Sequence, residues 1–336
     1  MGALSTRGGQ LAVAAAAILV LVIGLAAAGA FDGCKSAAVK SGRPSAAVSG
    51  SPYGGVAYAT AKVLAQSVGA RPADSWGEIH AREFITGTFQ QYGYFPLPQE
   101  FIAASGGRRV HSGNIIAVKE GDSAKRLVVG AHYDSAAVGE GYTDNATGIG
   151  LLLEVAARIK KMSTPYTVVF VAFGAEEDGR LGSRYYLDTL SKVERRATIG
   201  MIDLDAPAGG DTLSVMSLLG GATWLRDDAL AAAGELGIKL VTSPQAPGRP
   251  AGTVAVPADD VPSAGDIATA VFSAVSWPAS KGRKVAQTAD GPSMWDTPRD
   301  SVGYVDRKYP GRVREQLRDM SRLLETLLTS KLGRHS

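Results

Sequence analysis

Tyr166 to Phe173 is a nearly continuous apolar run, the mark of a β-strand buried on both faces. Such a strand needs a sheet with helices on either side, and the rest of the chain supplies them. Further strand-like stretches are Asn114 to Val118, Arg126 to Ala131, Ala197 to Leu204, Leu213 to Leu218 and Ala270 to Trp277, with a short one at Ile238 to Val241. Helical spacing of apolar residues occurs over Tyr58 to Tyr94, Gly148 to Ile159, Arg184 to Leu190, Trp224 to Leu236 and Arg312 to Leu332. The first of these is divided at Gly69 to Pro72 and stops near Gly93. Ser243 to Asp266 and Ser280 to Pro292 read as loops, and no internal repeat is present. Strands alternating with helices predict an α/β domain of three layers, α/β/α, around a mixed, mostly parallel sheet.

The 336 residues are 45% hydrophobic and 20% charged with a net charge of +3, a globular composition without the basic footprint of a nucleic-acid binder. Leu11 to Ala30 is almost wholly apolar and follows Arg7, the order of an export signal or an uncleaved membrane anchor. The expected organisation is therefore a signal peptide or anchor over 1–30, a flexible linker over 31–55 and a folded domain over 56–336. The expected location is extracytoplasmic, either secreted or anchored to the membrane by the N-terminal segment. The lone cysteine, Cys34, falls in the linker, so neither an intramolecular disulfide nor a multi-cysteine zinc site can form. With only His80, His111, His132 and His335 available, a metal site must rest mainly on carboxylates.

Ligands of open α/β sheets gather beyond the carboxyl ends of strands, and the chain places its reactive residues there. His132 and Asp134 follow one strand, Asp144 lies in the next loop, and Glu176 and Glu177 follow the buried run. Asp203 and Asp205 end another strand, and Asp296 and Asp300 follow the last strand and its loop. Oxygen and nitrogen donors of this kind hold hard and borderline dications. Two such ions bridged by a carboxylate clamp a water and polarise a carbonyl. A carboxylate left off the metals can take the proton of that water.

At this point the sequence resembles the M28 family of metallopeptidases, of the bacterial leucyl aminopeptidase and aminopeptidase S type. The residues that carry the likeness are Gly130-Ala131-His132-Tyr133-Asp134-Ser135, Thr143-Asp144-Asn145-Ala146-Thr147-Gly148 and Phe173-Gly174-Ala175-Glu176-Glu177 with Gly182-Ser183. Ile202-Asp203-Leu204-Asp205 and Trp295-Asp296-Thr297-Pro298-Arg299-Asp300-Ser301 complete it. The resemblance implies a zinc-exopeptidase, phosphorylase/hydrolase-like fold and an aminopeptidase acting on peptides or proteins with a free N-terminus. It further implies two Zn2+: His132 and Asp205 on one, Glu177 and Asp296 on the other, and Asp144 bridging. Glu176 would be the general base, and Asp134 would hold the His132 ring through its other nitrogen.

The last motif departs from the family, which usually has His at the position of Asp296 and often Tyr at that of Trp295. Asp is a competent zinc ligand. Its presence allows Mn2+ or Co2+ instead, or a single metal if Asp296 does not ligate. Trp295 either donates its indole N–H to a developing oxyanion or only walls the pocket. Trp295 and Thr297 also resemble a run found in single-zinc glutaminyl cyclases, although the zinc-binding His of that run is the residue replaced at 296. A catalytically inactive, binding-only domain and a related carboxypeptidase or amidase are the other readings. His80, His111 and His335 are expected to lie away from the site, and Asp300 and Ser301 to set the loop after Asp296.

Overall fold

A computed structural model describes residues 51–245, 250–254, 267–277, 286–291 and 293–332. Its central strand β4 (Thr167–Phe173) is buried at every position. Val168, Phe170 and Ala172 enter the larger of two cores, and Val169, Val171 and Phe173 enter the smaller, as the two-residue period of a strand requires. β3 (Arg126–His132) divides in the same way: Leu127, Val129 and Ala131 face the larger core and Val128 the smaller.

These strands belong to one sheet with β1 (Leu97–Ser105), β2 (Arg108–Lys119), β5 (Thr198–Leu204), β6 (Thr212–Leu218), β7 (Leu240–Val241), β8 (Thr253–Val254) and β9 (Ala268–Val275). The order is β1-β2-β4-β3-β5-β9-β6-β7, with β8 also paired to β6. β4, β3, β5 and β9 run parallel in the centre. β1 with β2, β2 with β4, and β6 with β9 are antiparallel. The sheet is thus mixed and mostly parallel, as expected. β3 is followed by β4 on one side and β4 by β5 on the other side of β3, so successive connections run in opposite directions. That divergence opens a crevice at the carboxyl ends of the strands.

The larger face is covered by α1 (Gly55–Val63), which runs into a π-helical turn at Leu64–Val68, and by α2 (Trp76–Gln91) and α3 (Thr147–Ile159). α6 (Trp224–Leu236), α7 (Val302–Lys308) and α8 (Arg312–Thr329) complete that layer. α3 is buried along nearly its whole length, which fits its apolar sequence. On the other face α4 (Leu181–Thr189) brings Tyr186 and Leu187 onto the smaller core. α5 (Lys192–Ala197) is closed by a capping box between Ser191 and Glu194.

The structure adds a hairpin that the sequence pattern does not announce. β1 is mostly exposed and carries Pro98, so it lacks the apolar run that marks the central strands. Gly106 and Gly107, at φ 55° and 78°, turn the chain between β1 and β2. α5 and α7 were likewise not expected, being too short to show a helical period. Residues 1–50, which hold the expected signal or anchor, most of the linker and Cys34, lie outside the described residues. So do 246–249, 255–266, 278–285, 292 and 333–336, including His335. Among the described residues no helix is long and apolar enough to cross a membrane.

Candidate metal centre

The sheet aligns the ends of β3 and β4, with His132 opposite Phe173. His132 therefore emerges beside the loop that carries Glu176 and Glu177. Asp134, fully buried, ties the two together. Its carboxylate accepts the backbone N–H groups of Glu176 at 3.0 Å and Glu177 at 3.1 Å. The His132 ring turns Nδ1 toward the Asp134 carbonyl oxygen at 3.2 Å, with the Asp134 carboxylate at 3.6 Å. A carbonyl only accepts, so Nδ1 carries the proton and Nε2 faces the crevice. Asp134 thus orients the imidazole mainly through its main chain, while its side chain sets the Glu176-Glu177 loop.

Asp144 reaches the same crevice from the loop before α3, and Asn145 positions it. Asn145 Nδ2 donates to Leu204 O at 2.7 Å, and its Oδ1 accepts from Ala206 N and Gly148 N, each at 3.1 Å. Leu204 and Ala206 flank Asp205, so one amide side chain brings Asp144 and Asp205 together. A Cβ on Gly148 would lie 2.3 Å from Asn145 Oδ1 and 2.6 Å from Leu204 O, so only glycine fits there. The Asp144–Asn145 peptide bond is cis. Asp300, also buried, grips the loop from the far side. Its carboxylate accepts Thr143 N at 2.7 Å, Thr143 Oγ1 at 2.8 Å and Asp144 N at 3.0 Å. Ser301 caps α7 by accepting Tyr304 N. Asp300 N also donates to Thr297 O at 3.0 Å, which closes the turn after Asp296 as expected; the grip of its carboxylate on the Asp144 loop was not expected, and His80 and His111 are exposed.

His132 Nε2 lies 3.1 Å from Asp144 Oδ1 and 3.9 Å from Asp205 Oδ1. Donor atoms of His132, Asp144 and Asp205 all fall within 4.8 Å of one another, and so do those of Asp144, Glu177 and Asp296. Asp144 is common to both groups. Glu176 belongs to neither, and its Oε1 lies 3.3 Å from Arg180 Nε. Asp203 sits inside β5 and also joins neither group. Ala175, Ala206 and Asp296 adopt positive φ of 53°, 47° and 55°. These sparsely populated conformations turn the chain at three places where it delivers a carboxylate.

The electrostatics of the crevice are set by burial and by neighbouring acids. Burial, opposed by His132 and reinforced by Asp205 and other acids, pushes Glu176 up to about 8. Burial and the Asp144 charge push Glu177 to about 8, and burial and the Asp205 charge push Asp203 to about 7. Asp205 is raised by burial and by Asp144. The imidazole of His132 is held well above its ordinary value: desolvation opposes the charge, but hydrogen bonding to Asp134 and Asp144 outweighs it. The carboxylates crowd closely enough to resist ionisation. Two dications would balance the four carboxylates of the two groups. One imidazole with two carboxylates suits zinc, and the all-carboxylate group also suits harder ions. The donor sets therefore fit the implied metals.

Arg71, Asn145 and Arg180 shape this site without having been assigned roles from the sequence. Arg71 and Arg180 carry no periodic or motif signal, and Asn145 lies within a quoted motif but without an assigned role. Asn145 stood next to the expected bridging aspartate, and its task is visible only once β5 is seen beside the loop.

The family model described as peptidase family M28 matches residues 114–321. The alkaline phosphatase isozyme conversion protein of Escherichia coli (strain K12) is 28% identical over 309 residues, 82% of this chain and 90% of that protein. Aminopeptidase YwaD of Bacillus subtilis (strain 168) is 39% identical over 97 residues, but that match spans 28% of this chain and only 21% of YwaD. Among solved structures, BSAP, a zinc aminopeptidase from Bacillus subtilis, superposes with a TM-score of 0.66 at 18% identity, covering 84% of this chain and 96% of that one. A glutaminyl cyclase from Porphyromonas gingivalis superposes equally well, at 0.66 and 19% identity, over 82% of this chain and 98% of that one. At such identities the structural likeness speaks for the fold alone.

Proposed function

Because the chain belongs to peptidase family M28, we propose that it is an aminopeptidase that hydrolyses peptide bonds at a free N-terminus with a pair of metal ions. The observation that carries this reading is the sharing of Asp144 between two three-residue donor groups, with Glu176 beside them and in neither. His132, Asp144 and Asp205 would hold one zinc, and Asp144, Glu177 and Asp296 the other. When bound, the ions supply Lewis-acid polarisation of the scissile carbonyl and lower the pKa of a water.

The protein's own groups do the rest. Glu176 takes the proton of the attacking water and returns it to the leaving amine. The Arg180 guanidinium at 3.3 Å holds the Glu176 carboxylate in place. The Trp295 indole nitrogen is buried with no hydrogen-bond partner among the described residues, and a buried donor without an acceptor is costly. This favours Trp295 as a donor to the substrate's developing oxyanion over a plain pocket wall. The substrate's free amino end is received at this carboxylate-rich edge of the sheet.

A glutaminyl-cyclase reading is kept open by the shared fold. The presence of two donor groups argues against it, because a single zinc held at the position of Asp296 would leave His132 and Asp205 without an ion. The experiment is Glu176→Gln, assayed on aminoacyl chromogens, N-blocked controls and N-terminal glutaminyl peptides, alongside elemental analysis. Expected are hydrolysis of unblocked substrates only by the wild type, and unchanged metal content with turnover reduced by about 100-fold or more in the variant. Full activity of Glu176→Gln would remove Glu176 as base. Cyclisation without hydrolysis would replace the peptidase reading.

A further inference from the structure

We infer that Arg71 is a positioning residue for the metal pair. Its buried guanidinium fixes, through main-chain carbonyls, the two segments that deliver His132 and Asp144. The inference rests on the metal-site reading above and adds a residue outside the donor groups.

Arg71 is completely buried. Its Nε donates to Tyr133 O at 2.8 Å, and Tyr133 stands between His132 and Asp134. Its Nη2 donates to Gly141 O at 2.8 Å, three residues before Asp144. Its Nη1 donates to Gly69 O at 2.6 Å and Glu140 O at 2.8 Å. The main chain repeats the link: Arg71 N donates to Ser135 Oγ at 3.0 Å, and Ser135 N donates to Arg71 O at 3.1 Å. The approach is close. A Cβ on Gly141, which sits at φ 55°, would meet Ser135 Cβ at 2.5 Å and Arg71 Nη2 at 2.7 Å. Glu140 N in turn donates to Asp300 O at 2.8 Å, so the Asp144 loop is held between Arg71 and Asp300.

The chemistry calls for arginine. Carbonyls of Tyr133, Gly141 and Glu140 lie in different directions, and a planar fork with five donors meets them together, whereas an ammonium presents three donors at one point. Burial lowers the guanidinium to about 10, opposed by the charges of Asp300, Asp134, Asp144 and Glu177, so it stays charged at neutral pH. Asp134 and Asp300 belong to neither donor group.

A residue that merely filled space would change stability and leave the metals as they were. The test compares wild type, Arg71→Lys and Arg71→Met. The readouts are chelator competition with Zn2+, the visible spectrum of the Co2+ form, and kcat and KM on an aminoacyl chromogen. Expected is a loss of metal affinity of about 10- to 100-fold in Arg71→Met, the size seen when groups orienting metal ligands are removed. An altered Co2+ spectrum should accompany it, with kcat reduced more than KM and Arg71→Lys in between. Folded Arg71→Met with wild-type affinity and spectrum would overturn the inference. If Arg71→Met does not fold, Arg71→Lys decides it: a weakened affinity is expected, and an unchanged affinity and spectrum overturn the proposal. A wild type that binds no metal would sink the metal-site reading itself. A wild type that binds two ions indifferently to these changes would sink only the role of Arg71.

Discussion

At position 296 an aspartate closes the second donor group with Asp144 and Glu177, at an exposed turn held by Thr297 N to Met294 O at 3.2 Å. Replacing it by Ala leaves His132, Asp144 and Asp205 complete. Asp296→Ala should therefore fall from about two bound zinc ions to about one by elemental analysis, since two protein ligands hold a dication poorly. Retention of both ions would exclude Asp296 as a ligand. A second residue-scale expectation concerns Glu78, which is buried and bonded by Ser112 Oγ and by Asp74 N at 2.7 Å. Burial, against the hydrogen bonds of Ser112 and Asp74, raises it from 4.5 to about 7; Asp134 adds to the rise and Arg82 opposes it. The folded protein then keeps a proton that the unfolded chain releases between these values, so Glu78 costs stability as pH climbs through that window. Glu78→Gln should gain stability relative to wild type from about pH 4.5 to about 7 and hold a constant advantage above, measured by urea denaturation. The metal-binding candidates were legible because each stands at a strand end or in a loop beyond one, in a recognisable run. Arg71 was not. Its partners are carbonyls, which leave no trace in side-chain chemistry, and nothing local marks a cation that will be buried.

Elements are joined by a clasp at the start of the domain. Glu154 of α3, fully buried, accepts Gly54 N at 2.8 Å and Ala57 N at 2.7 Å at the opening of α1. It also accepts Arg158 Nε at 2.8 Å and Ser321 Oγ of α8 at 2.6 Å. An anion at a helix N-terminus satisfies orphan N–H groups and opposes the helix dipole. Removing it also takes from the buried Arg158 guanidinium its nearest carboxylate, the other being Glu325 at 4.0 Å. Glu154→Ala should lower the unfolding free energy by about 3–5 kcal/mol with an unchanged denaturant slope, while the metal content of the folded protein stays as it was. A loss below about 1 kcal/mol would show the clasp to be incidental. The helices it ties together were readable from their periods, as was α6, where Trp224–Leu236 matches end for end. The β1–β2 hairpin was not, because a strand exposed at the sheet edge shows neither an apolar run nor clean alternation.

For the whole molecule, the sequence pattern supports a mixed parallel sheet but not its order. β9 inserts between β5 and β6, a pairing fixed by contacts far apart in the chain that no local pattern records. That order gathers the acids at one edge, and it has a cost when metal is removed. In the metal-free protein Glu176 and Glu177 are raised to about 8 and Asp203 to about 7, burial being the first cause in each. All three lie above the range of an unfolded carboxylate. From about pH 4.5 upward the folded apo-protein therefore binds more protons than the unfolded chain, and its stability falls as pH rises until these groups have ionised near pH 8. Bound dications act the other way, because they favour the ionised ligands and bind the folded state alone. At a free concentration of 100 times Kd a single ion adds about 2.7 kcal/mol. The rise in melting temperature on adding Zn2+ to chelated protein should therefore be small near pH 5 and grow steadily to pH 8. Melting curves of the chelated and zinc-loaded protein across that range measure it directly. A shift that shrank with rising pH, or none at all, would mean that the acids gathered by the sheet do not hold metal.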